Sequence, residues 1–149
     1  SAEYPASAFP QLTTVNQRPV LAFDGASNET AYWTLVAPQG ITGTMTMIIS
    51  LMMASAITGG TDWDVAVEAV TSGDAVDLDA TTSFDAINST DNTVVPGTAG
   101  HMQQITVTLT NNDALAAADY VRISLTRDAV SDTATGDAYV LGAEFRDAA

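Results

Sequence analysis

Eighteen carboxylates dominate the reactive side chains of this 149-residue chain, against four basic residues, one histidine and no cysteine. Read as a strand, "DWDVAVEAV" places Asp62, Asp64 and Glu68 on one face with Ala66. Two acids facing a cleft are what glycoside hydrolysis needs, but so many acids align by chance, and no other feature supports hydrolysis. Asp74, Asp77 and Asp79 in "SGDAVDLDA", and Asp128, Asp132 and Asp137 in "RDAVSDTATGD", gather oxygen donors of the kind Ca²⁺ takes. Neither run has the mid-loop glycine and closing glutamate of a calcium-binding loop, so both are expected to be solvated acidic loops. His101 belongs to no G-x-S-x-G or H-E-x-x-H motif and reads as structural or surface-lying. The absence of cysteine excludes disulfides, thiolate metal sites and cysteine nucleophiles. No catalytic residue, metal or cofactor is assigned, and the chain is expected not to be an enzyme.

Aromatic and basic residues offer binding chemistry instead. Trp33, Trp63, Tyr32, Tyr120 and Tyr139 have the flat faces on which sugars stack, although Trp63 shares a strand face with Val65 and Val67, which points to core packing. Arg18, Arg122, Arg127 and Arg146 are the whole cationic complement, and each is expected to meet carboxylates. Arg122, on the polar face of its strand, suits a cross-strand ion pair or a contact across a subunit boundary. Asn28-Glu-Thr and Asn88-Ser-Thr are formal glycosylation sequons, relevant only in a secretory pathway.

A net charge of −14 argues against nucleic acid and anionic membrane surfaces as partners, because both need Lys and Arg. It fits a solvated, self-repelling surface, with salt adaptation or DNA mimicry as sharper readings. The opening "SAEYPASAFP" shows neither the basic start nor the apolar run of a signal peptide.

These side chains must be positioned by strands. Residues 1–19 read as an extended N-terminal arm broken by Pro5, Pro10 and Pro19 and anchored by Tyr4, Phe9, Leu12 and Val15. Residues 20–149 read as one β domain, with strands expected in "PVLAFD", "TAYWTLVA", "GTMTMIISLMM", "DWDVAVEAV", "HMQQITVTLT", "DYVRISLTRD" and "DAYVLGAEFRD", and an eighth if Leu12 to Val15 pairs. A short helix carrying Phe84 and Ile87 is expected over 79–89. Tyr139, Leu141, Ala143 and Phe145 are expected on one strand face. The absence of amphipathic helices between strands disfavours a parallel α/β sheet. The expectation is an all-β, two-sheet antiparallel sandwich, a jelly roll in preference to an immunoglobulin-like fold.

"TMTMIISLMM" is too short and too interrupted to cross a bilayer as a helix, which needs about 20 apolar residues. Its alternation sends Met45, Met47, Ile49, Leu51 and Met53 inward. Ile48 and Met52 are left on the face where water is expected, which makes them candidate subunit contacts.

Several blocks resemble a group of small structural proteins of tailed bacteriophages. They are "SAFPQLTTVNQRPVLAFDGASNETAYWTLVAPQG", "WDVAVEAV", "PGTAG" before a strand, and "ADYVRISLTRDAVSDTATGDAYVLGAEFRD". The resemblance spans roughly residues 7–147; the Met-rich strand departs from it. It implies a virion component on the capsid surface, made in the host cytoplasm. The role it suggests first is a capsid decoration (cement) protein, bound to the major capsid protein and to copies of itself as a homotrimer. Tyr4, Phe9, Leu12, Val15, Ile48, Met52 and Arg122 would make the contacts. The alternative is a tail-fibre or head-fibre module that binds host glycan.

Overall fold

The computed structural model describes residues 8–41 and 44–147, together with the backbone of residues 2–3. Tyr4 lies outside the described residues. Among the described residues the ten strands are β1 (Ala2–Glu3), β2 (Gln11–Val15), β3 (Arg18–Phe23), β4 (Glu29–Val36), β5 (Met45–Met53), β6 (Gly60–Val70), β7 (Asn88–Val94), β8 (Gln103–Thr108), β9 (Tyr120–Arg127) and β10 (Ala138–Asp147). They form two five-stranded sheets, β1-β4-β9-β6-β7 and β2-β3-β10-β5-β8, here called the first and second sheets. Every pairing is antiparallel, and the sheets face each other as a β-sandwich.

Period-two alternation builds the core. Met45, Met47, Ile49, Leu51 and Met53 of β5 are buried, as are Ile105 and Val107 of β8, and Val121, Ile123 and Leu125 of β9. Each large side chain so buried contributes roughly 1.5–3 kcal/mol. Trp63 is wholly buried, its ring 5.2 Å from Phe23 in an edge-to-face contact that joins the two sheets.

Four sequence expectations are resolved by strand pairing. First, the eighth strand expected if Leu12 to Val15 paired is present: Gln11–Val15, within the expected arm, joins β3 through a hairpin in which Asn16 and Gln17 take the positive φ values of a tight primed turn. Second, no helix forms over 79–89. Ser83 and Asp85 bond back to β6, through the Glu68 carboxylate and the Val67 carbonyl, and Asn88–Val94 continues as the edge strand β7. Third, Ile48 is only 9% exposed, not open to water; its outer face lies between Glu144 of β10 and Thr106 of β8.

The fourth change lies in β10. Its register shifts between Val140 and Gly142, a β-bulge at Leu141. Before the bulge Ala138 and Val140 face the core; beyond it Ala143 and Phe145 do. One inserted residue moves every following side chain to the other face. Tyr139 and Leu141 therefore turn outward, and the four residues expected on one face are divided between two.

Candidate functional site

The outer face of the first sheet carries the most elaborate arrangement of polar groups. Glu68 on β6 stands directly across from Arg122 on β9. Their Nε to Oε1 separation is 3.3 Å, with Glu68 2% exposed and Arg122 24%. The cross-strand ion pair expected for Arg122 is present. Its Nε is nevertheless buried without an aligned hydrogen bond, so the pair is held by charge and leaves donor capacity unused.

The segment after β6 folds back over this pair. Ser83 donates both its backbone N–H and its hydroxyl to Oε2 of Glu68. Phe84 stacks on Tyr32 of β4 at 5.9 Å between ring centroids, with the rings 26° apart. The guanidinium of Arg122 sits 4.9 Å from the Phe84 ring and 5.4 Å from the Tyr32 ring. Two aromatic faces thus fix its orientation. Asp85 secures the far end by accepting the N–H groups of Asp113 and Ala86, which hold its carboxyl below the usual aspartate value. Asp113 in turn accepts the N–H of Ala69.

What remains open is a cleft of about 350 Å³ between this segment and the sheet, lined by Glu68, Asp79, Thr81, Thr82, Tyr120 and Arg122 among others. It mixes a cationic donor, carboxylate acceptors, hydroxyls that do both, and the partly exposed ring of Tyr120. That set suits a ligand rich in hydroxyl groups.

The same geometry does not assemble a pair of free carboxylates for hydrolysis. Ser89 donates to Asp64, the N–H of Asn92 bonds to Asp62, and Glu68 is engaged by Arg122 and Ser83. The acidic loops also use their carboxylates internally. Asp74 accepts the N–H of Thr71, Asp77 that of Asp79, and Asp128 the side-chain amide of Asn28. Asp132 meets Arg127 at 2.8 Å, and both are essentially buried. Burial pushes the Asp132 carboxyl up, against the opposing pull of Arg127. Among the described residues no group of three or more His, Asp or Glu side chains is arranged to hold a metal ion. Asn88 is buried and bonded to the carbonyls of Val65 and Asn111, which makes it unsuited to carry a glycan.

The sequence-predicted contact residues do not form one patch. Val15 and Met52 line a groove on the outer face of the second sheet, whereas Arg122 lies on the opposite side of the molecule. Phe9 and Leu12 are exposed, at 42% and 67%, and Ile48 is covered. The five aromatics considered for sugar stacking are dispersed too. Trp63 is core, Trp33 packs against the core, Tyr32 lies against Phe84, Tyr139 faces outward on the second sheet, and Tyr120 alone reaches the cleft. The parts missed in sequence were Asp79 and Thr81, which line the cleft, and Phe84, which braces Arg122 beside it. The available signal was Phe84 itself, a large aromatic stranded in a polar stretch and needing somewhere to pack.

No protein-family model matches the chain, and no curated protein matches it in sequence. Solved structures do resemble it in fold. A carbohydrate-binding module specific for non-crystalline cellulose, CBM28, aligns over 99% of this chain and 88% of its own at a TM-score of 0.57 and 10% identity. The CBM35 module from Cellvibrio japonicus Abf62 aligns over 99% and 97% at 0.45 and 14% identity. TmCBM61, solved in complex with beta-1,4-galactotriose, aligns over 87% and 70% at 0.44 and 9% identity. The first likeness shows a shared fold: the chain is a jelly-roll β-sandwich.

Proposed function

We propose that this chain is a non-catalytic glycan-binding module and that the cleft between β6, β9 and the 71–87 segment takes the sugar. The observation that carries the reading is the pair of buried Glu68 and half-buried Arg122 opening into a polar cleft beside the Tyr120 ring. The guanidinium is preorganised by Phe84 and Tyr32, so little ordering entropy remains to oppose binding. The likeness to a cellulose-specific module is in keeping with this reading, because that protein uses the same fold to bind a polysaccharide. The resemblance to phage virion proteins would place such a module on a tail or head fibre. The geometry favours this alternative over capsid cementing, since the best-built site is a small-ligand cleft.

The test is a glycan array followed by calorimetry on the hits, with Arg122→Ala and Tyr120→Ala compared with the parent chain. Each substitution is expected to weaken binding at least about tenfold, or about 1.4 kcal/mol, while the β circular-dichroism spectrum is retained. Absence of any glycan ligand, or binding indifferent to both substitutions, would overturn the assignment. Copy number in isolated particles addresses location: a dozen or so copies fits a fibre or vertex, and hundreds fit head decoration.

A further inference from the structure

We propose that copies of this chain associate head to tail, with Leu78 and Asp79 of one copy seated in the groove on the outer face of the next copy's second sheet. The contact needs no sugar, but Leu78 and Asp79 also line the proposed glycan cleft, so a seated neighbour and a bound sugar would compete for that edge; the inference begins with how charge is distributed. Of the 18 acids, the strands of the second sheet carry two, Glu144 and Asp147, both late in β10. Glu144 is held by Arg146 at 3.0 Å. The groove lies at the other end of the sheet, about 520 Å³ in volume, and no acid lines it. Its walls include Val15, Met52, Met102, Tyr139 and Leu141, and the bulge in β10 is what turns the last two outward.

Arg18 stands at the rim of this groove. Arg122, Arg127 and Arg146 each have a carboxylate partner. Among the described residues Arg18 has none; its guanidinium donates to the carbonyl of Asn16 at 3.1 Å. In a chain with net charge −14, a cation without an acid, next to an apolar groove without acids, calls for a carboxylate from outside. The occupant must bring an apolar side chain and an acid together.

The chain itself presents that combination. Leu78 is 54% exposed and lies between Asp77 and Asp79, both exposed, in the segment over the first sheet. The Asp77 carboxylate is bonded to the N–H of Asp79, and the Asp77 carbonyl caps the turn, which leaves the Asp79 carboxylate as the group to meet Arg18. Knob and groove lie on opposite faces of the sandwich, so the contact is heterologous and extends as a row of copies. The remaining charge of each copy limits its strength. A small contact of this kind is weak, with a dissociation constant on the order of 100 μM.

Sedimentation velocity on the full chain without glycan, in about 0.15 M salt so that distant repulsion is screened, tests the contact. Weight-average mass should rise as concentration passes from about tenfold below to about tenfold above that constant. Arg18→Asp and Leu78→Asp should each abolish the rise, and the charge-swapped pair Arg18→Asp with Asp79→Arg should restore it. All three positions are exposed, and circular dichroism confirms that each variant is folded. A chain that stays monomeric throughout overturns the proposal. So does association that survives both single substitutions, or a charge swap that fails to rescue.

Discussion

The two outer faces of the sandwich have opposite characters. On the first sheet β6 alone brings Asp62, Asp64 and Glu68, and the 71–87 segment adds Asp74, Asp77, Asp79 and Asp85. That face is polar, and part of it is folded under its own loop. The second sheet's face is Ser, Thr, Gln, Met and Tyr, open and almost free of acid. A strongly acidic protein thus keeps one side on which charge does not oppose contact. Net charge alone would not have shown this, because averaging over the surface hides the segregation.

Both faces depend on the sheets being held at a fixed spacing, and one buried arginine ties them together. Arg127 of β9 donates Nε to Asp132, and its terminal nitrogens to the carbonyls of Phe23, Gly136 and Ala134. It thereby links the first sheet to β3 of the second and to the loop before β10. Arg127→Ala would leave the buried Asp132 carboxylate without its cation, and the carbonyls of Phe23, Gly136 and Ala134 without this donor. The expected loss is about 3–5 kcal/mol, the largest effect predicted here, read as a fall in the chemical-denaturation midpoint. A loss below about 1 kcal/mol would show that the loop reorganises to admit water and that the clasp is not what unites the faces.

Much of this architecture was legible in the sequence, and the exceptions share a cause. The alternating runs in β5, β8 and β9 gave their core residues correctly because each runs in a single register. The β10 assignment failed because a bulge at Leu141 is a pairing event between strands, and one strand's pattern does not contain it. β7 was missed because "NSTDNTV" buries only Asn88 and has almost no apolar alternation to detect. The cleft was half legible. Glu68 and Arg122 were each on the correct face, but their partnership required strand pairing, and the cover over them required the 71–87 segment to fold back.

That cover offers the next way to separate the faces. Phe84→Ala removes the ring that stacks on Tyr32 and lies against Arg122. The expected cost is about 1–2 kcal/mol, from one aromatic pair and one cation–π contact. Hydrogen exchange should quicken at the Ser83 and Asp85 amides, which bond to Glu68 and Val67, while amides of β5 and β8 stay protected. Unchanged protection at Ser83 and Asp85 would mean that hydrogen bonds alone hold the cover. Equal loosening on the second sheet would mean that the faces are not independent.

The smallest predicted effect lies at the seam where β3 leaves the second sheet and β4 enters the first. Glu29 accepts the N–H of Asp24 at 2.8 Å and shares a cleft with Asp24 and Asp137. Burial, reinforced by repulsion from these two acids, raises its carboxyl above the ordinary glutamate value, although the Asp24 N–H and Arg127 pull the other way. A raised folded-state value means that the native chain binds this proton more tightly than the unfolded chain. The stabilisation is therefore complete below the unfolded value, about pH 4.3, and is lost as pH rises through the folded one. Glu29→Gln keeps an acceptor for the Asp24 N–H and removes the charge. Its Tm should exceed that of the parent at pH 7, modestly because water screens a partly exposed carboxylate, and the gap should close as pH falls toward 4. A variant less stable than the parent at pH 7 would show that the attraction of Arg127 outweighs burial here, so that the seam prefers the charged carboxylate.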